Sequence, residues 1–275
     1  MIETLRTIVH PWELDAVDHF TTAFYYRAFS HANWHLLQRL GCDESRMKAL
    51  EPRSCRTRFL RELRAGDAYH LTSGLVSSTS GSVVLGHKMV NSETGAACAT
   101  HLQEFAGDLN PREAIGGVDW QDEKRLGEVD FDKPRAWSRT GLNVVQKDDL
   151  DYADRMGLMT LIHFASDANV QFQNMIGMTS SYMHEKRIGY ATMGYEISLI
   201  ALPEAPGTFV ETESALAHMG RSSLWFAHRV QGAATKAPIA YIAQFGVHFD
   251  RVARKAAEIP VHIREAAERH AEVRA

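Results

Sequence analysis

Glu13-Leu-Asp-Ala-Val-Asp18 and Asp149-Leu-Asp-Tyr-Ala-Asp154 stand 136 residues apart and share the pattern acid-Leu-Asp-x-x-Asp. The same offset pairs Ser30 with Ser166, Ala32 with Ala168, Asn33 with Asn169 and Gly41 with Gly177. Seven of the 29 positions from 13 to 41 are identical, where average residue frequencies give about two. A second block, offset by 141, pairs Gly66 with Gly207, Ser73 with Ser214, Leu75 with Leu216, His87 with His228 and Gln103 with Gln244. Matches that recur in one order through both halves indicate two divergent copies of one domain.

Around these anchors each copy has the same grammar. A short apolar strand, Thr7-Ile-Val or Asn143-Val-Val, leads into the acidic turn. A long helix follows, over about 22–40 and 159–176. In the first copy Phe24, Ala28, Phe29, Leu36, Leu37 and Leu40 fit a wide buried stripe. Gly41 and Gly177 stand where left-handed helix caps belong. Four strands are expected after each helix, at 56–63, 68–78, 82–91 and 97–106, then 193–202, 208–218, 222–231 and 238–249. Turn-rich breaks such as Arg64-Ala-Gly-Asp67 separate them. The expected division is a first domain over 1–106, a surface connector over 107–141 that nets −2 in charge, a second domain over 142–250, and a helical tail over 251–275. In the tail, Val261 and Ile263 offer a small apolar face. One long helix with a run of antiparallel strands is an α+β pattern, the helix packing on a curved sheet.

Composition narrows the function. The 275 residues are 45% hydrophobic and 23% charged, with 30 Lys plus Arg against 34 Asp plus Glu. That balance argues against gripping nucleic acid with the whole surface. There is no apolar run of about 20 residues for a membrane helix and no secretory leader, so a cytoplasmic location is expected. Cys42, Cys55 and Cys98 form neither a disulfide framework nor a zinc pattern. His31 and His35 are four apart on the expected helix, but no third ligand accompanies them, and a core or interface pair is the better reading. No metal or cofactor is expected. Serine-hydrolase elbows, phosphate loops and dinucleotide fingerprints are absent.

Asp15-Ala-Val-Asp-His19-Phe-Thr-Thr-Ala-Phe-Tyr25 resembles the Asp-x-x-Gly-His-Val-Asn-Asn-Ala-x-Tyr stretch of hotdog-fold thioesterases of the 4-hydroxybenzoyl-coenzyme A thioesterase type. Phe59-Leu-Arg-Glu-Leu-Arg-Ala-Gly-Asp67 is similar to that family's sheet-entry segment. The resemblance implies two hotdog domains in tandem that pair within one chain, and hydrolysis of an acyl-coenzyme A. Dimers or trimers of such chains are the expected assembly.

By position alone, Asp15 is either a base before a helix or a cap of the turn. The resemblance places it on the family's catalytic carboxylate and His19 on the motif histidine. Tyr25 matches the motif tyrosine, though packing is the better account of it. Asp18 replaces the motif glycine, and Thr21 and Thr22 replace the two asparagines that would face substrate. The second copy keeps Asp151 but has Arg155, Gly157 and Leu161 where the first has His19, Thr21 and Tyr25. Asp15 is therefore favoured as the working acid, with Asp151 a lesser candidate whose pKa Arg155 would lower. Within the basic run, Arg56 and Arg58 share a strand face and could meet coenzyme A phosphates; a solvated sheet face is the alternative. Two other functions stay open: a hotdog hydratase or dehydratase on enoyl or hydroxyacyl thioesters, and a non-catalytic acyl-coenzyme A binding protein.

Overall fold

The computed structural model describes residues 1–15, 17–109, 120, 125–132 and 136–272. Much of the expected connector, 110–119, 121–124 and 133–135, lies outside them. The chain forms two compact units. The first comprises Met1–Glu123, Gln146–Ile162 and Leu202–Pro206, and the second Lys124–Val145, His163–Ala201 and Gly207–Ala275. The loop carrying Asp151 thus belongs, by its contacts, to the first unit.

The first unit contains β1 (Ile2–Ile8), α1 (Thr22–Arg39), α2 (Glu44–Ala49), β2 (Glu51–Phe59), β3 (Ala68–Thr79), β4 (Ser82–Asn91) and β5 (Ala97–Ala106). The strands run β1-β3-β4-β5-β2, each antiparallel to its neighbour. One face of α1 supplies Tyr25, Phe29 and Ala32 to a core with Leu71, Met89 and Ala99. A turn further on, Leu36, Leu37 and Leu40 pack with Leu75, Leu85 and Phe105. Burying each such side chain stabilises the fold by about 1.5–3 kcal/mol. Gly41 stops the helix at φ +83, where the Cys42 amide donates to the Leu37 carbonyl and the Gly41 amide to that of Gln38. This is a Schellman cap, and Gly is the residue that adopts it without strain.

The second unit holds β6 (Ser138–Val144), most of α3 (Leu158–Met175), α4 (Ser180–Lys186), β7 (Ile188–Leu199), β8 (Phe209–Met219), β9 (Ser223–Gly232), β10 (Pro238–Asp250), β11 (Lys255–Ala256) and α5 (Val261–Glu272). Its strands run β7-β10-β9-β8-β6, with β11 on β10. Phe172 of α3 and Ile176, just past its end, pack on Leu224 and Phe226. Gly177, at φ +88, closes α3 with the same pair of bonds that closes α1.

Three expectations need correction. The strands expected at 56–63 and 193–202 start five residues earlier, as β2 and β7. Pro52 sits at a bulge in the β2–β5 register, where its missing N–H is tolerated. In the tail, Ile263 and Ala267 are buried against α3 and β9, whereas Val261 points into solvent at 69% exposure. His31 and His35 lie on the exposed flank of α1, not in the core.

Between helix and sheet each unit buries polar side chains in a hydrogen-bonded chain. In the first unit the Thr4 and Ser73 hydroxyls are 2.6 Å apart, and Ser73 Oγ is 2.6 Å from His87 Nδ1. His87 Nε2 lies 2.8 Å from Asn33 Oδ1, and Asn33 Nδ2 donates to Gln103 Oε1 at 2.7 Å. In the second unit the Thr140–Ser214 pair leads to His228 Nδ1, and His228 Nε2 lies 3.1 Å from Gln244 Oε1. Loss of hydration on burial keeps the imidazoles neutral. It lowers His87 well below the usual histidine range, His101 to about 3 and His228 to about 4.

A histidine that refuses a proton when folded but accepts one when unfolded destabilises the fold as pH falls below its unfolded pKa of about 6.5. Each contributes up to about 1.4 kcal/mol per pH unit, from there down to its folded pKa. Urea denaturation at pH 7, 6 and 5 should therefore show stability dropping steeply toward acid. His228→Leu should make that slope shallower by about one proton's worth; an unchanged slope would refute the assignment.

Candidate active site

The acidic turn before α1 is built on backbone amides. Asp15 Oδ1 accepts hydrogen bonds from the Val17 amide at 2.9 Å and the His19 amide at 3.0 Å. The Asp15 amide donates to the His19 carbonyl at 2.8 Å, closing the loop. Just upstream, Glu13 is 1% exposed; it accepts from the His10 amide and pairs with the Arg27 guanidinium of α1. Its carbonyl accepts from the Thr21 amide at the helix start. The His19 ring turns away from the Asp15 carboxylate, placing Nε2 3.3 Å from Glu62 Oε2. It is the backbone of His19, not its imidazole, that orients Asp15.

Asp18 has φ +63 and Asp154 φ +59. The glycine of the family motif is thus replaced by a residue in the left-handed region that glycine favours, and Asp is among the few side chains that tolerate it. The replacement preserves the turn.

The corresponding loop around Asp151 has the same bonds in a different setting. Asp151 Oδ1 accepts from the Ala153 amide at 2.8 Å and the Arg155 amide at 3.4 Å. Tyr152 packs edge-on against Trp34, and Lys48 Nζ is 2.8 Å from Asp154. The Arg155 guanidinium donates to the carbonyls of Lys48 and Leu50 at the end of α2, a favourable place for a cation. Asp151 lies in a small cleft whose lining includes Asn33, Gln103, Tyr152, Arg155 and Leu158. Burial raises the Asp151 pKa, and the two amides and the Arg155 charge only partly offset it. Arg155 lowers this pKa as expected, through its amide and its charge, but desolvation outweighs it and the net shift is upward. Asp15, by contrast, is exposed.

Thr21 is the residue before α1 and Thr22 its first residue; the Thr21 side chain makes no capping bond. Tyr25 is buried among Phe20 and Phe59 and belongs to the core. Arg56 and Arg58 alternate along β2 with buried Cys55 and Thr57, so they occupy the sheet face away from α1. The residues brought together in the cleft are Asp151, Asn33 and Gln103.

Residues 9–107 match the family model of the thioesterase-like superfamily. No curated protein matches the sequence. Among solved structures, an acyl-ACP thioesterase from Bacteroides thetaiotaomicron superposes with a TM-score of 0.63 at 7% identity, covering 88% of this chain and 96% of that one. The 12:0-ACP thioesterase from Umbellularia californica gives 0.61 at 10%, covering 89% and 93%. The TesB protein of Mycobacterium avium subs paratuberculosis gives 0.55 at 10%, covering 90% and 94%. The architecture is a double hotdog.

Reading the double hotdog from sequence missed Glu13, Glu62 and the role of Asn33 and Gln103. For Asn33 and Gln103 the signal was present, since both are identical in the two copies. If the turn needs only a left-handed residue at 18, Asp18→Gly should change stability by less than about 0.5 kcal/mol, whereas Asp18→Val should cost about 1–2 kcal/mol. Urea denaturation of both variants checks this.

Proposed function

We propose that the protein hydrolyses an acyl-coenzyme A thioester, with Asp151 as its working carboxylate. The observation that carries the assignment is the half-buried Asp151 in a cleft, its pKa raised by burial and its Oδ1 fixed by two amides. A raised pKa makes a carboxylate a stronger base while it stays ionised near neutrality. Asp151 takes a proton from water as the water oxygen attacks the thioester carbonyl. The tetrahedral intermediate then collapses, the carbon–sulfur bond breaks, and the thiolate leaves and takes up a proton. The match of residues 9–107 to the thioesterase-like model supports the reaction class. Comparison of the copies favoured Asp15; its exposure beside a His19 turned to Glu62 favours a smaller role. The proposal extends to a cytoplasmic location and to dimers or trimers of intact chains, which sedimentation would test.

Thiol release measured over short, medium, branched and aryl acyl-coenzyme A substrates tests the reaction. With the best substrate, Asp151→Asn should lower kcat by about 100-fold or more, and Asp15→Asn by less than about tenfold. Since the base must be deprotonated, kcat should fall with pH through an apparent pKa above the ordinary aspartate value. The reverse ranking of the two variants would move the site to Asp15. No thiol release from any substrate, with loss of an enoyl chromophore instead, would favour the hydratase alternative.

A further inference from the structure

Coenzyme A is far larger than the Asp151 cleft, so in a bound thioester it lies outside and the acyl group is what enters. How much of an acyl group enters is set by what closes the cleft. The way inward, between α1 and the sheet, is filled. Asn33 and Gln103, which line the cleft on that side, engage His87 and each other. His87 and His101 are wholly buried, and the Phe29 ring stacks on His101 with centroids 4.3 Å apart. Further along α1, Leu36 and Leu37 are buried against Leu75 and Leu85. An interior packed in this way admits no extra methylenes without displacing its own side chains.

The remaining wall is made by Tyr152, the residue directly after the carboxylate. Its ring meets Trp34 of α1 edge-on, with centroids 4.9 Å apart and planes at 63°, a geometry in which aromatic rings attract beyond simple contact. Both rings pack on the cluster that contains Leu50 and Phe105, and those two also line the cleft. Burial raises the Tyr152 phenol well above its usual pKa, so the wall carries no charge. The ring is not needed to shape the turn. Asp15 makes the same two amide bonds as Asp151, yet the 136-residue offset sets Ala16 opposite Tyr152 and Val170 opposite Trp34. The aromatic pair therefore belongs to the cleft. We propose that Tyr152, braced by Trp34, is a specificity-determining residue that limits the substrate of the Asp151 cleft to short acyl chains. This rests on the hydrolytic reading above. With the thioester carbonyl at Asp151, the first carbons of the chain lie against Leu50, Phe105 and Leu158, and later ones run into the Tyr152 ring.

Two chain lengths and three variants test the assignment. A single methylene in an apolar pocket changes kcat/KM by about 10–200-fold. In the wild type, kcat/KM for thiol release should accordingly be at least about 100-fold lower with octanoyl- than with butyryl-coenzyme A. Tyr152→Ala should raise the octanoyl-to-butyryl ratio at least about tenfold, and Trp34→Val should move it in the same direction. Tyr152→Phe keeps the ring and should leave the ratio within about threefold of wild type. Because each protein is read as a ratio of two substrates, a loss of folded enzyme cancels. Independently of turnover, S-(2-oxopentyl)- and S-(2-oxononyl)-coenzyme A thioethers carry chains of the same two lengths without a scissile bond. Calorimetric titration should show the shorter binding wild type at least about tenfold more tightly, and the difference shrinking in Tyr152→Ala. Equal wild-type rates on both substrates, or an unchanged ratio in Tyr152→Ala, would overturn the chain-length filter and leave hydrolysis by Asp151 standing. A wild type that releases no thiol would remove the hydrolytic reading, while the calorimetric preference still decides whether Tyr152 sorts chains by length.

Discussion

Everything in the first unit is arranged around two imidazoles that have been denied water. His87 and His101 lie between α1 and the sheet, and the Phe29 ring stacks on His101 with centroids 4.3 Å apart. A buried polar group without a partner costs about 1–3 kcal/mol. The fold therefore commits Ser73, Thr57, Asn33 and Gln103 to satisfying these rings. An apolar interior of similar shape would serve stability equally well. A polar chain that begins at β1 and ends on the lining of a cleft has a different rationale: it fixes which atoms the cleft presents.

The two acidic turns show how environment, and not motif, sets the chemistry of a carboxylate. Asp15 and Asp151 each accept two backbone amides, each two and four residues on, and each turn passes through a left-handed aspartate. By backbone geometry they are equivalent. They differ in what surrounds them. Tyr152 against Trp34, and Arg155 clamped to the end of α2, close the Asp151 loop over apolar surface. The motif comparison favoured Asp15 because His19 and Tyr25 stand at the expected spacings. In the fold, Tyr25 is a core residue and His19 pairs with Glu62, so neither spacing brings a group to the Asp15 carboxylate.

The helices, their glycine caps and six of the eight strands expected after them were legible because each rests on a local rule: a 3.6-residue stripe, a left-handed stop, an alternating run. The missed starts of β2 and β7 share a cause. Short helices, α2 and α4, follow the capped glycines, and six or seven residues carry too little periodicity to be told from a turn. The strand ends beyond them were displaced accordingly. The site was legible only in part. Asn33, Ser73, His87 and Gln103 stood out as identities between the copies, yet they come from α1, β3, β4 and β5. Only the register that sets Ser73 opposite His87, and His87 opposite His101, turns four scattered matches into one chain. The net pKa of Asp151 was missed for a similar reason: Arg155 lowers it as its position suggests, but burial of the loop outweighs that charge. The sequence distance of Arg155 from Asp151 is four, but its guanidinium is fixed by carbonyls about 105 residues away.

The difference between the two polar chains matters as much as their likeness. In the first unit Asn33 stands between His87 and Gln103, and His101 Nε2 lies 3.4 Å from the same Gln103 oxygen. In the second, Ile242 follows Tyr241 on β10 at the place of His101, and His228 meets Gln244 directly. Asn169 is then bypassed, and its Oδ1 is buried without a hydrogen-bond partner. One extra histidine thus separates the two arrangements. With it, the glutamine oxygen takes the asparagine N–H and lies beside the imidazole. Without it, the glutamine nitrogen finds Thr192. A single core difference between the two units is enough to change the partners of an amide two residues away, because in a closed interior every donor released at one point must be satisfied at another.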